Sequence, residues 1–528
     1  MSAMRGLFAI GALVGFAGCQ TTGEPTGLPD LLIMNGVLHD GMGSDGRSAS
    51  VLVDDGKIVR IVAIDERLPV AHQIIDARGL VVAPGFIDPH THAGSDLAAD
   101  DAMRRANLAF AFQGVTTVVV GNDGFGAADI AAQATSARAN GIGTNVAYLA
   151  GFGPIREAVI GDANRAPSDA ELTEMRHITR QAMCEGAWGL SAGLYYVPQN
   201  YAGTDEVVAL AKEVSALGGY YDTHMRDEST YNITVEGALA ETLEIGRKSS
   251  VPVHIAHIKA LGPAVWGHSA KMIAMVEAAQ ATGQRVTADQ YPWEASGTRV
   301  SNALVPRWAL EGGLDALRER LRDPEQATRI REGIAQGYER RGGADRLLVT
   351  GSLHGAEVAV GDTLADIAKS QSLDPVDAAI AILMDGDARV ASFNMSAADI
   401  AAFAAQDWVV TGSDGSTGHP RKYGSFPKAY QDLVNGDVGM SMARFVQRSS
   451  AQTADIIGLT DRGRIAPGLA ADLVIFDPDE FAPRATYQSP RELSAGVRHL
   501  IVNGESVISD GQYTGALPGQ PLLKQTGC

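Results

Sequence analysis

The sequence predicts an α/β protein: a parallel (β/α)8 barrel of the TIM type, with a small β-sandwich built from both chain ends and a helical insertion. Three observations carry this reading. Short apolar runs separated by Asn-Gly and Asp-Gly pairs open and close the chain, the pattern of tight turns between short strands. Between them, strand-like runs such as Thr116 to Val120, Asn145 to Ala150 and Val251 to Ile258 alternate with Ala-rich helical stretches such as Ala102 to Gln113 and Glu206 to Leu217. At 528 residues, 45% hydrophobic and 20% charged, the chain can bury a sizeable core.

Residues 1–19 read as an export signal, with Arg5 as the positive head and Gly6 to Ala17 as an apolar stretch too short for a permanent span. The stretch ends in Phe16-Ala17-Gly18-Cys19, which resembles a bacterial lipoprotein cleavage site with Cys19 as the lipidated residue. Simple secretion is the alternative. Residues 20–28, rich in Thr, Gly and Pro, form a tether. The expected location is the periplasm, anchored by lipid, with Gln20 and Thr21 leaning toward the outer membrane.

Residues 29–84 supply the first part of the sandwich, with Leu31–Met34, Ser50–Val53 and Lys57–Val62 as strands and Asn35-Gly36 and Asp55-Gly56 as turns. The barrel occupies 85–465. Within it, residues 301–349 are dense in Arg, Glu and Asp at helical spacing and read as amphipathic surface helices inserted beside the site. Residues 466–528 return to short strands and complete the sandwich.

With 43 basic and 62 acidic residues, the formal charge of -19 argues against nucleic acid and anionic lipid surfaces as partners. A small-molecule substrate fits better. If Cys19 is lipidated, Cys184 and Cys528 remain as thiols, too few for a disulfide framework, and their pairing is left open.

The chemistry concentrates in polar residues at the ends of barrel strands. His90 and His92 follow the apolar run Leu80–Ala83 in "GFIDPHTH". Asp123 follows Thr116–Val120, His224 follows Gly219–Tyr221, His257 ends "VPVHIAHIK" and Asp414 follows Trp408–Thr411. The carboxyl ends of barrel strands are where such folds build sites, and imidazoles with carboxylates suit zinc. Taken singly, each residue has a bland role, Asp123 as a turn cap or Asp414 as a structural carboxylate. Together they point to a metal centre.

In this order, "GFIDPHTH", "GVTTVVVGN", "GLYYVPQNYAGTDE", "THMRDE", "HIAHIKALG", "DQYPWEASGT", "GSDG", "HPRKYGSFPK" and "GRIAPGLAADLVIFDP" resemble the amidohydrolase superfamily and, within it, the N-acyl-D-amino-acid deacylases (D-aminoacylases). The resemblance spans nearly the whole mature chain. It implies His90 and His92 on one metal position, His224 and His257 on the other, and Asp414 as both ligand and acid/base, handling the proton of the attacking water and of the leaving nitrogen. It further implies one or two Zn2+ per chain. The family usually carries cysteine where this chain has Asp123; a carboxylate there can bridge two metals.

The resemblance also places Tyr196, Lys259, Tyr291 and Arg421 around a substrate carboxylate, with His419 beside them and Arg226 and Glu228 behind His224. Lys259 lies two residues past His257, on the same face of an extended segment. The expected reaction is hydrolysis of N-acyl-D-amino acids. A dipeptidase for peptides ending in a D-residue is the neighbouring alternative, and a non-catalytic ligand-binding barrel the alternative of another class.

Overall fold

The computed structural model of the protein describes residues 27–436 and 438–528. The expected signal, Cys19 and residues 20–26 of the tether lie outside the described residues. Among the described residues no helix is long and apolar enough to cross a membrane.

Eight parallel strands form the barrel: β1 (Phe86–Asp88), β2 (Val115–Val120), β3 (Asn145–Gly151), β4 (Gly189–Gly193), β5 (Tyr220–His224), β6 (Val253–Ile255), β7 (Val286–Gln290) and β8 (Val409–Thr411). They neighbour one another in chain order from β1 to β8. Every residue of β2 and β3 is buried, as expected of strands covered by helices on the outside and packed side chains within. β8 and β1 do not pair along their lengths. The gap closes just past their ends, where Asp414 N donates to His90 O at 3.0 Å and His92 N to Gly415 O at 3.1 Å. The seam of the barrel therefore runs through the residues expected to bind metal.

Both chain ends meet in one mixed sheet. Val81–Pro84 pairs antiparallel with Leu473–Phe476, joining the N-terminal strands Leu31–Leu38, Arg47–Asp54 and Lys57–Ala63 to the C-terminal strands Val497–Val502 and Glu505–Ser509. Asp55-Gly56 makes the expected tight turn, with φ of 47° at Asp55. Asn35-Gly36 does not turn the chain. The strand continues through it to Leu38 with a register shift between Ile33 and Gly36, a bulge at which Gly36 lies against Val82.

Between β7 and β8 the chain builds a separate lobe, wider than the helical insertion expected over 301–349. It begins with the strand Ala295–Arg299 and ends with Asp387–Phe393, which pairs antiparallel with both Ala295–Arg299 and Leu347–Leu353. The helices Gly313–Arg322, Pro324–Arg341 and Pro375–Asp385 pack on this sheet over an apolar core that includes Leu317, Ile330, Ile334, Leu347, Leu383 and Val390. The charged helices dominate the composition of the segment and hide its short strands.

Cys184 and Cys528 are joined by a disulfide, with Cα atoms 5.6 Å apart, and are not free thiols. The C-terminal tail reaches Cys184 by pairing Pro521 and Leu522 alongside Val146 and Ala147 of β3.

Candidate metal centre

Each expected ligand stands just past a strand end. His90 and His92 follow β1, Asp123 follows β2, His224 ends β5, His257 follows β6 and Asp414 follows β8. Asp123, His257 and Asp414 hold left-handed backbone conformations, with φ of 57°, 36° and 48°. Non-glycine residues seldom adopt this region, and such strain gathers at sites where the surrounding fold fixes it. Here it turns three side chains inward over the barrel mouth.

The donor atoms form two groups that share Asp123: His90, His92, Asp123 and Asp414 in one, Asp123, His224 and His257 in the other. Oδ2 of Asp123 lies 3.4 Å from His92 Nε2, and Oδ1 lies 3.3 Å from His257 Nε2, 3.5 Å from His90 Nε2 and 3.7 Å from His224 Nδ1. Asp414 Oδ1 completes the first group, 3.2 Å from His92 Nε2. Ligands about 2.0 Å from a tetrahedral zinc stand roughly 3.3 Å from one another. The spacing fits metal.

Electrostatics favour the same reading. Both ring nitrogens of His90 are buried without hydrogen-bond partners, which is costly unless a cation takes one of them. Burial pulls His90 down to about 4, so this ring is a neutral donor at pH 7. Burial works against the charged forms of His92 and His257 too, yet Asp123 and Asp414 lift His92 to about 9, and Asp414, Glu228 and Asp123 outweigh burial and Lys259 to lift His257 to about 10. Burial disfavours ionised Asp414, but Arg421 and the histidines overcome it and hold the carboxyl far below its usual range.

Residues behind the ligands set their orientation. Asp289, at the end of β7, accepts from His257 N at 3.1 Å and lies 3.9 Å from His90 Nδ1. Gly412 is required there, because a Cβ would lie 2.3 Å from Asp289 Oδ2; the glycine makes room for this carboxylate and not for a ligand. Asn122 donates to Pro89 O at 3.0 Å and to Asp222 Oδ2 at 3.3 Å, tying the β1 loop to β2 and β5. Asp289 and Asn122 each follow the strand-end pattern that marks the ligands, and the stretches "TADQY" and "GNDG" carry that signal.

The expected substrate residues gather on one side. Lys259 Nζ contacts Glu228 Oε1 and His257 Nδ1, each at 2.6 Å, and stands 5.7 Å from the Tyr291 ring centroid. Arg421 stands 4.9 Å from the same ring and pairs with Asp414. The Tyr196 ring lies 4.8 Å from that of His224. Tyr195, not singled out by the sequence, lines the same cavity of about 830 Å³.

Two expectations are corrected. His419 accepts from Arg421 N at 3.1 Å through Nδ1, and its Nε2 lies 3.1 Å from Ala295 O; with both nitrogens on backbone it positions Arg421 and has none left for a carboxylate. Arg226 turns away from His224 to pair with Glu241 at 2.7 Å, leaving Glu228 as the partner behind the histidines.

Paired clusters of imidazoles bridged by a carboxylate, at the carboxyl end of a parallel barrel, define a metal-binding hydrolase of the barrel type. The amidohydrolase family profile matches residues 73–508, and the chain belongs to the amidohydrolase family. It is 32% identical to the D-aminoacylase of Alcaligenes xylosoxydans xylosoxydans over 94% of this chain and 98% of that one. It is 31% identical to the N-acyl-D-glutamate deacylase of the same organism over 90% of this chain and 93% of that one. A crystal structure of N-acyl-D-glutamate deacylase from Bordetella bronchiseptica, complexed with zinc and a phosphonate inhibitor, matches with a TM-score of 0.79 at 30% identity, covering 94% of this chain and all (100%) of that one. A D-aminoacylase crystal structure matches with a TM-score of 0.80 over the same shares.

Proposed function

We propose that the protein hydrolyses the amide bond of N-acyl-D-amino acids, releasing a carboxylate and a free D-amino acid. The observation that carries this is the carboxylate-bridged double cluster with the Asp414 and Arg421 pair beside it, opening on a cavity that also holds Lys259 and Tyr291. Likeness to deacylases of D-amino acids over nearly the whole chain supports the D stereochemistry.

His90, His92 and Asp414 would hold one zinc and His224 and His257 the other, with Asp123 between them. Bound zinc lowers the pKa of water toward about 7 and polarises an amide carbonyl. Asp414 does the proton work. Kept as a carboxylate by Arg421, it accepts the proton of the attacking water and delivers it to the leaving nitrogen, which departs as a neutral amine. Lys259 and Arg421 attract the substrate carboxylate, and Tyr196 and Tyr291 wall the pocket around it.

Activity on N-acetyl-D but not N-acetyl-L amino acids by a chain lacking residues 1–19, with bound metal quantified alongside, tests the reading. Turnover confined to L-Xaa-D-Xaa peptides would replace it with the dipeptidase reading. Metal-free protein inert toward every amide would favour a binding barrel.

We also place the mature protein in the periplasm on a lipid anchor at Cys19. The apolar N-terminal segment supports this, as does a disulfide of the kind that persists in oxidising compartments. Loss of metabolic palmitate label from a Cys19→Ala variant is the expected result. Equal recovery of both forms in the soluble fraction would count against it.

A further inference from the structure

We propose that Arg299 and Arg389 form an anion subsite that selects substrates carrying a second carboxylate. The inference rests on the deacylase reading above and narrows its substrate class.

Arg299 and Arg389 are register partners on the antiparallel strands Ala295–Arg299 and Asp387–Phe393, so their side chains leave the same face of the sheet. Like charges directly opposite one another weaken a strand pair. Among the described residues neither guanidinium makes an ion pair or a side-chain hydrogen bond, and the neighbouring acid Asp387 is engaged elsewhere. Asp387 accepts from Ser301 N at 3.2 Å, Ser301 Oγ at 2.6 Å and Ala388 N at 2.8 Å. In a chain of formal charge -19, an unpaired pair of cations is not a matter of overall charge balance.

Both residues line the cavity onto which His92, Asp123, His224, His257 and Asp414 open. Gly297, two residues before Arg299 and on the same face, abuts Arg421: a Cβ there would lie 3.0 Å from Arg421 Nη2. The two arginines thus begin roughly 7 Å along the strand from the guanidinium that pairs with Asp414, at about 3.3 Å per residue. Arg389 is partly buried, and burial together with Arg299 lowers its pKa, so an anion reaching Arg389 meets reduced competition from water, while Arg299 stands at the open edge. Two guanidinium forks side by side match a carboxylate in the bidentate manner. With the α-carboxylate at Lys259 and Arg421, a second carboxylate borne by the D side chain or by the acyl group extends toward the pair.

Steady-state kinetics of the metal-loaded protein separate these two sources. One arm compares N-acetyl-D-glutamate with N-acetyl-D-glutamine, the other N-succinyl-D-leucine with N-butanoyl-D-leucine. The acidic member of one arm should exceed its neutral partner in kcat/KM on the order of 10- to 100-fold, the value of a charged hydrogen-bonded contact. The arm that responds identifies which part of the substrate carries the acid. Arg299→Gln, at an exposed position, and Arg389→Gln should each shrink that ratio, and the double variant should bring it close to one; Arg389→Glu should turn the preference toward N-acetyl-D-lysine. Turnover of the neutral D substrates with no acidic preference in either arm overturns the subsite and leaves the deacylase reading intact. A preference that survives the double variant also overturns it. Failure on every D substrate removes the deacylase reading and this inference with it.

Discussion

Nη1 of Arg421 lies 2.7 Å from Oδ2 of Asp414, in a site where both side chains are buried. The guanidinium is the largest influence holding the carboxyl low against its burial. A carboxylic acid with a depressed folded pKa stays ionised as pH falls, so Asp414 does not set the acidic limb of the pH profile. Arg421→Met removes that support. The acidic limb of kcat/KM should then move to higher pH as Asp414 begins to protonate, and kcat/KM itself should fall on the order of 10- to 100-fold from the lost charged contact. An acidic limb that stays in place, measured from pH 4 to 9, would separate Arg421 from the proton chemistry.

Asp123 belongs to both ligand groups, one oxygen toward His92 and the other toward His257. Asp123→Ala should therefore lower metal occupancy at both positions, whereas His224→Ala should spare the group containing His90, His92 and Asp414. Metal-to-protein ratios by mass spectrometry after dialysis read this directly. Loss of the same amount of metal in both variants would mean that Asp123 does not bridge.

The histidine pKa values give a signed prediction for the metal-free protein. His92 at about 9 and His257 at about 10 are raised above the model-peptide value of 6.5 by carboxylates that burial does not defeat. A group whose folded pKa is raised contributes stability that is complete below about pH 6.5 and is lost as pH rises through the folded value. Chelator-treated protein should thus lose thermal stability between pH 7 and 10. Metal must displace the same protons, so metal affinity should rise with pH, with proton release visible by calorimetry in buffers of different ionisation enthalpy. A metal-free Tm that is flat across that range would show that the histidines are not held protonated.

The barrel was legible because alternation and strand-end polarity are local patterns; His90, His92, Asp123, His224, His257 and Asp414 each follow an apolar run that announces a strand. What escaped depends on distance in sequence. Asp289 meets His257 N across 32 residues, and Asn122 meets Asp222 across 100. The family resemblance put His419 beside the substrate residues, and only the backbone of the inserted strand at Ala295 shows that its second nitrogen is taken. The strands of the insertion were hidden since Ala295–Arg299 carries Ser, Gly and Thr where alternating apolar residues would have marked it. Asn35-Gly36 has turn chemistry, but flanking pairing to Arg47–Asp54 on both sides keeps the strand running and converts the turn into a bulge.

The bond between Cys184 and Cys528 fastens the C-terminal tail to the barrel. Leu522 pairs beside β3, Trp188 Nε1 donates to Leu522 O at 2.7 Å and Lys524 N donates to Gly186 O at 2.9 Å. Cys184 ends the helix Asp169–Cys184, which leads into β4 from its amino-terminal side, so the tail closes the end of the barrel opposite the metal ligands. Cross-linking residues 344 apart restricts the unfolded chain over most of its length, and a disulfide typically contributes about 2–4 kcal/mol. Cys184→Ser with Cys528→Ser should therefore lower Tm and bring the midpoint of urea unfolding down, while kcat and metal content at 25 °C remain those of the parent. Dithiothreitol applied to the parent protein should reproduce the shift and have no effect on the double variant. A fall in kcat without a fall in Tm would instead mean that the tail communicates with the opposite end of the barrel.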